Sequence, residues 1–178
     1  MNAQTAISIV GAFVSVSSAV VAVIFGWLSI RNARLSTYAQ TENEVETIYS
    51  NMVDFRVSHP VVMSLSRAWK PDKFSSVYNQ GDETDDSQWV TYYSYAELCI
   101  GYCNMVLAAW YQGRMEKSSF LDHHRPLVKL LLTENYPLVE NLISTGGKYL
   151  SNHIQSFVAE MSSEGWNWEQ EHKLLAEE

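Results

Sequence analysis

The stretch SQWVTYYSYAELCIGYCNMVLAAWYQGRM (Ser87–Met115) decides the fold. It is longer than an ordinary strand and apolar on most faces of a helix, through Trp89, Tyr92, Tyr93, Leu98, Ile100, Val106, Leu107 and Trp110. Ser87 suits an N-cap and Gly113 a C-terminal stop. A helix apolar all round is surrounded by other elements, so this one is expected to be the central core helix.

The segments on either side also read as helical. Tyr38, Val45, Ile48, Tyr49, Met52, Phe55 and Arg56 fall near a 3.6-residue period, and Glu42, Glu44 and Glu46 are expected largely on other faces. In SHPVVMSLSRAW (Ser58–Trp69), Ser58 or His59 can cap a new helix and Pro60 suits its first position. Val61, Leu65 and Trp69 then share a side. KPDKFSSVYNQGDETDDS reads as a solvated loop, because its acidic residues lack the ligand order of a calcium loop. Beyond Gly113, SSFLDHHRPLVKLLLTENYP holds a helix with Pro126 near its start or at a kink. PLVENLIS and KYLSNHIQSFVAEM add two more around Gly146 and Gly147. No strand pattern and no repeat is visible. The fold class expected is all-α.

The N-terminus has a different composition. Residues 1–30 contain no Lys, Arg, Asp or Glu, and Arg31 and Arg34 follow directly. The roughly 24 residues of Ile7–Ile30 would make a helix about 36 Å long, against the ~30 Å hydrocarbon core of a bilayer. A cleaved signal would need a basic start and a shorter apolar core. Core helices of small soluble domains are seldom this long and this uniformly apolar. The expectation is a retained transmembrane helix that continues into a helical rod and a cytoplasmic helical bundle. With the basic flank after the span, the N-terminus lies outside the cytoplasmic membrane and the C-terminal domain inside. Trp27, Arg31 and Arg34 are expected at the membrane interface. Gly11, Ser15, Ala19, Ala22 and Gly26 recur every three or four residues and form a small-residue face suited to packing on another helix.

Three regions follow: residues 1–34 as anchor and basic flank, 35–165 as helical domain, and 166–178 as an acidic tail that forms a short amphipathic helix or a frayed end. The net charge of −8 lies beyond the uncharged block. It argues against nucleic acid as a partner, since phosphates need a basic face. The partners expected are the lipid bilayer and an integral membrane protein complex, or a second copy of the chain. Trp166 and Trp168 stand past the clear core periodicity and are candidates for partner contact.

No constellation implies a reaction. Cys99 and Cys103 share a helical face, but two cysteines without further ligands read better as buried thiols than as a metal site. Asp122–His124 is similar to the triplet that names a phosphoesterase family, but here it lies among helices and without the companion Asp clusters. GGK at Gly146–Lys148 lacks the spacing and the Ser or Thr of a phosphate loop. His59, His153 and His172 are isolated, and the apolar block has no His to ligate a haem or pigment. No catalytic, cofactor-binding or metal residue is assigned. The expectation is a non-enzymatic accessory, scaffolding or assembly subunit, with a self-associating sensor or signalling adaptor as the alternative.

In layout the chain resembles bacterial membrane-anchored all-α proteins of uncharacterised function. The matching pieces are Ser58–Trp69 with its HP restart and final Trp, Tyr92–Gly113 with its Tyr-x-x-Gly turn, and Tyr136–Val158. The resemblance implies a single N-terminal span and an all-α domain, and it carries over no catalytic residue.

Overall fold

The computed structural model describes residues 3–68, 86–144 and 152–177, and the side chains of 21–68, 88–144 and 152–175 among them. Every regular element among them is helical. In chain order these are α1 (Ala3–Ser58), α2 (Val61–Ala68), α3 (Asp86–Tyr111), the short α4 (Lys117–Ser119), a π-helical turn (Phe120–His124), α5 (Arg125–Glu134), α6 (Tyr136–Ser144), α7 (Asn152–Ser163) and α8 (Trp168–Glu177). The all-α expectation therefore holds. The acidic loop, Trp69 and the GGK triplet lie outside the described residues.

The chain divides into two compact units, Met1–Gln40 and Thr41–Glu178. The boundary falls inside α1, a few residues after the expected end of the basic flank. The first unit is helical from Ala3 onward, and its described residues Val21–Thr37 are all exposed. Among the described residues no helix is long and apolar enough to cross a membrane. Most of the Ile7–Ile30 block has side chains outside the described set, and the described part, Val21–Ile30, is shorter than the ~20 residues a span requires. The transmembrane part of the expectation gains no support from the described structure.

In the second unit α3 is the central helix. Tyr95, Cys99, Tyr102, Cys103, Val106 and Leu107 are buried along it, and it packs on α2, α5 and α7. Val45 and Met52 of α1, Leu131 and Leu132 of α5, and Ile154 and Phe157 of α7 complete the same core. Gly113 ends the helix as expected. Its φ of +65° admits the left-handed turn, with Gly113 N–H donating to Trp110 O at 2.9 Å and Arg114 N–H to Ala109 O at 2.8 Å.

The structure sharpens three local readings. In α2 the fully buried residues are Val62 and Ser66, while Val61 and Leu65 are half-buried and Leu65 packs against the Trp89 and Tyr92 cluster. The helix is set by where α3 and α5 approach it, and a short apolar run such as Val61–Met63 fits either register. Glu42 sits at the margin of the buried face of α1, its side chain 37% exposed, where it reaches Ser119 and His124. Of the two forms expected for the acidic C-terminal segment, the helix is the one found, as α8, and it is docked: Trp166 and His172 are buried, and α8 packs on α5 and α6.

Pro126 sits at the second position of α5, just after the π turn. Proline lacks an N–H and its ring crowds the carbonyl four residues back. The wider turn, closed by Arg125 N–H donating to Phe120 O, relieves that crowding and turns His124 into the protein.

Candidate functional site

The expected packing face is described only in part. Gly11, Ser15 and Ala19 belong to α1, but their side chains lie outside the described residues. Ala22 and Gly26 are exposed, and a Cβ built at Gly26 would meet nothing within 4 Å. Trp27 is exposed, and the Arg31 guanidinium lies 5.6 Å from its ring centroid, at cation–π distance. Arg34 is exposed as well. These positions thus form an open helical surface carrying large apolar side chains, among them Val23, Phe25 and Ile30.

At the other end of the chain, Trp166 lies in the core of the second unit and not beyond it. Gly165, at φ +94°, turns the chain so that Trp166 N–H reaches Met161 O at 2.9 Å. The indole then packs on Phe157 and Trp168 with centroids 6.2 Å and 5.6 Å away, and its Nε1–H donates to Glu171 at 2.9 Å. Lys129 stands 5.1 Å from its ring. Trp168 is half-buried, edge-on to Tyr136. The sequence signal for this was Gly165 followed by a large apolar residue, the pattern of a helix stop that folds its next side chain back.

Two polar clusters inside the second unit escaped the sequence reading. In the first, Glu42 of α1 accepts from the Ser119 hydroxyl at 2.6 Å and faces His124 Nε2 at 3.2 Å. His124 Nδ1 lies 2.9 Å from the Tyr102 hydroxyl. Burial raises the Tyr102 phenol above its ordinary pKa, so it stays neutral near pH 7. Asp122 and His123 point outward, and the Ser119 hydroxyl is directed at Glu42 and not at the imidazole. The arrangement ties α1, α3, α4 and the π turn together. Among the described residues no group of three or more His, Cys, Asp or Glu side chains is placed to hold a metal ion.

The second cluster surrounds Glu134 at the end of α5, 7% exposed. Its Oε1 lies 3.4 Å from Arg56 Nη1. Burial raises its pKa, and the charges of Arg56 and Arg67 and the Tyr95 hydroxyl oppose that shift in part. Nearby, His172 Nδ1–H donates to Thr133 O at 2.8 Å and fastens α8 to α5. At the α5–α6 junction Asn135 is fully buried and satisfied, donating to Leu131 O at 2.9 Å and accepting from Tyr92 at 3.2 Å.

Cys99 and Cys103 are buried free thiols. Burial pushes Cys99 up to about 12 and Cys103 well above the usual thiol value, so neither offers a thiolate near neutral pH. A surface groove of about 630 Å³ runs between α5 and α8, with Leu121, Pro126, Leu130 and Leu174 in its walls. Its Arg125 is engaged by Glu164 and by Met161 Sδ at 3.2 Å. Comparison with known proteins found no matching family model, no matching curated protein and no matching solved structure.

Proposed function

We propose that the chain is a non-catalytic, single-pass membrane accessory or assembly subunit. Its N-terminal helix packs on a larger integral membrane protein complex, and its acidic helical domain docks on the cytoplasmic face of that complex. One observation carries this reading: an N-terminal helix without charge before Arg31, whose described part leaves Val21, Val23, Ile24, Phe25, Trp27 and Ile30 exposed. Each Å² of apolar surface left in water forgoes about 25 cal/mol, so a contiguous run of such residues favours a lipid or protein neighbour. Arg31 beside the Trp27 ring suits the headgroup layer, where both a cation and an indole are favoured. The test has two stages. Alkaline carbonate should leave the native protein in the membrane pellet, and release into the supernatant would remove the anchor. Purification in mild detergent should then bring down a stoichiometric membrane protein, and migration alone would remove the accessory role.

The open Cβ position at Gly26 equally suits a second copy of the chain, as a self-associating sensor or adaptor would need. In-membrane crosslinking separates the two. A crosslinked homodimer that disappears in the Gly11→Leu plus Ala19→Leu variant favours self-association, and the absence of any homodimer favours the larger complex.

A further inference from the structure

We infer that the chamber beneath α8 is a binding site for one internal water molecule, which joins α2, α5 and α8. The chamber is lined by Met63, Ser66 and Arg67 of α2, Glu134 of α5, and His172 and Leu175 of α8. A water centre has about 20 Å³ in which to move there, against roughly 10–15 Å³ needed to hold one water.

The chemistry of the walls selects the occupant. Glu134 Oε2 is buried and no protein donor meets it in good hydrogen-bond geometry, although the Tyr95 hydroxyl, itself unpartnered, is close enough to act on the carboxylate. Buried carboxylate oxygens are nearly always satisfied, and in a polar space of this size water is the usual partner. Ser66 donates its hydroxyl to Met63 O at 2.8 Å, which leaves its oxygen able to accept. The carbonyl of Thr133 can only accept, so His172 Nδ1 carries the hydrogen of their bond, and in the neutral ring Nε2 is an acceptor. A water that donates to Glu134 and to His172 and accepts from Arg67 would satisfy all three. A metal cation is opposed by Arg56 and Arg67, both close enough to act on the Glu134 carboxylate, and by the lack of ligands on Met63 and Leu175. An anion is opposed by Glu134 itself. The neutral occupant fits, and it lets a carboxyl group with one long ionic contact remain buried.

Water-to-amide cross-relaxation on the full-length chain in detergent tests the site. Amides of Ser66, Thr133 and Glu134 should show cross-peaks with the sign of a water that resides for longer than about a nanosecond. These peaks should persist in Ser66→Ala, which leaves the space open, and vanish in Ser66→Leu, which fills it. Their absence from the native protein overturns the site. So does their loss in Ser66→Ala, which would trace them to hydroxyl exchange. Should Ser66→Leu fail to fold, the native and Ser66→Ala spectra decide.

Discussion

His124 Nε2 stands 3.2 Å from Glu42 Oε2 while Nδ1 of the same ring stands 2.9 Å from the Tyr102 hydroxyl, so one imidazole ties α1, the π turn and α3 together. Replacing Glu42 by Ala removes the acceptor for both Ser119 and His124. Each such bond contributes about 0.5–1.5 kcal/mol net. The Glu42 side chain is 37% exposed, and water recovers part of that loss. The expected destabilisation is about 1 kcal/mol, read as a lower urea midpoint at unchanged slope. An unchanged midpoint would show that the clasp adds nothing to stability.

Gly165 and Trp166 decide whether α8 docks. A Cβ at Gly165 meets nothing within 4 Å, so Gly165→Ala tests the backbone alone. The φ of +94° should make it destabilising by about 1–3 kcal/mol. Trp166→Ala removes a buried ring and should cost about 3–5 kcal/mol. Faster amide exchange along α8 is expected in both variants, and native-like protection there would contradict the role given to this turn.

Glu134 gives a pH dependence of definite sign. Its folded pKa is raised, chiefly by burial, so the folded state holds the proton more tightly than the unfolded chain. This contribution to stability is complete below the unfolded carboxylate pKa and is lost as pH rises through the higher folded value. Glu134→Gln cannot titrate. Denaturant melts from pH 4 upward should therefore show a loss of stability in the native protein that is missing from the variant. Parallel curves would remove Glu134 as the source.

Cys99 and Cys103 should resist alkylation in the folded protein. Both are buried, and Cys99 is pushed up to about 12, so attack on a maleimide requires opening of the core. Labelling should rise together with unfolding by urea. Rapid labelling without denaturant would mean that the core around α3 opens far more readily than its packing implies.

The architecture of the second unit was legible in the sequence where apolar periodicity was long. Ser87–Gly113 announced a core helix through residues such as Tyr92, Val106 and Leu107, and Gly113 marked its end. Short elements were less legible. In α2, Val61, Val62 and Met63 leave the buried face open by one register, and packing against α3 and α5 chose Val62 and Ser66. The polar clusters were not legible at all. Glu42 and Ser119, like Arg56 and Glu134, are separated by 77 and 78 positions in the chain.

The sequence by itself determined an all-α chain, its central helix and the separation of an uncharged N-terminal helix from an acidic remainder. These follow from local properties: side-chain spacing along a helix, stop residues and charge. Only the tertiary structure decided which polar side chains turn inward. A glutamate on an amphipathic helix is ordinarily solvated; Glu134 is buried with Arg56 offsetting part of the loss of water, and Glu42, still 37% exposed, reaches Ser119 and His124. It likewise decided that Trp166 belongs to the core, because one left-handed glycine redirects the chain over Phe157. The small-residue face from Gly11 to Gly26 is read from spacing alone, and the membrane experiments test whether another helix packs on it.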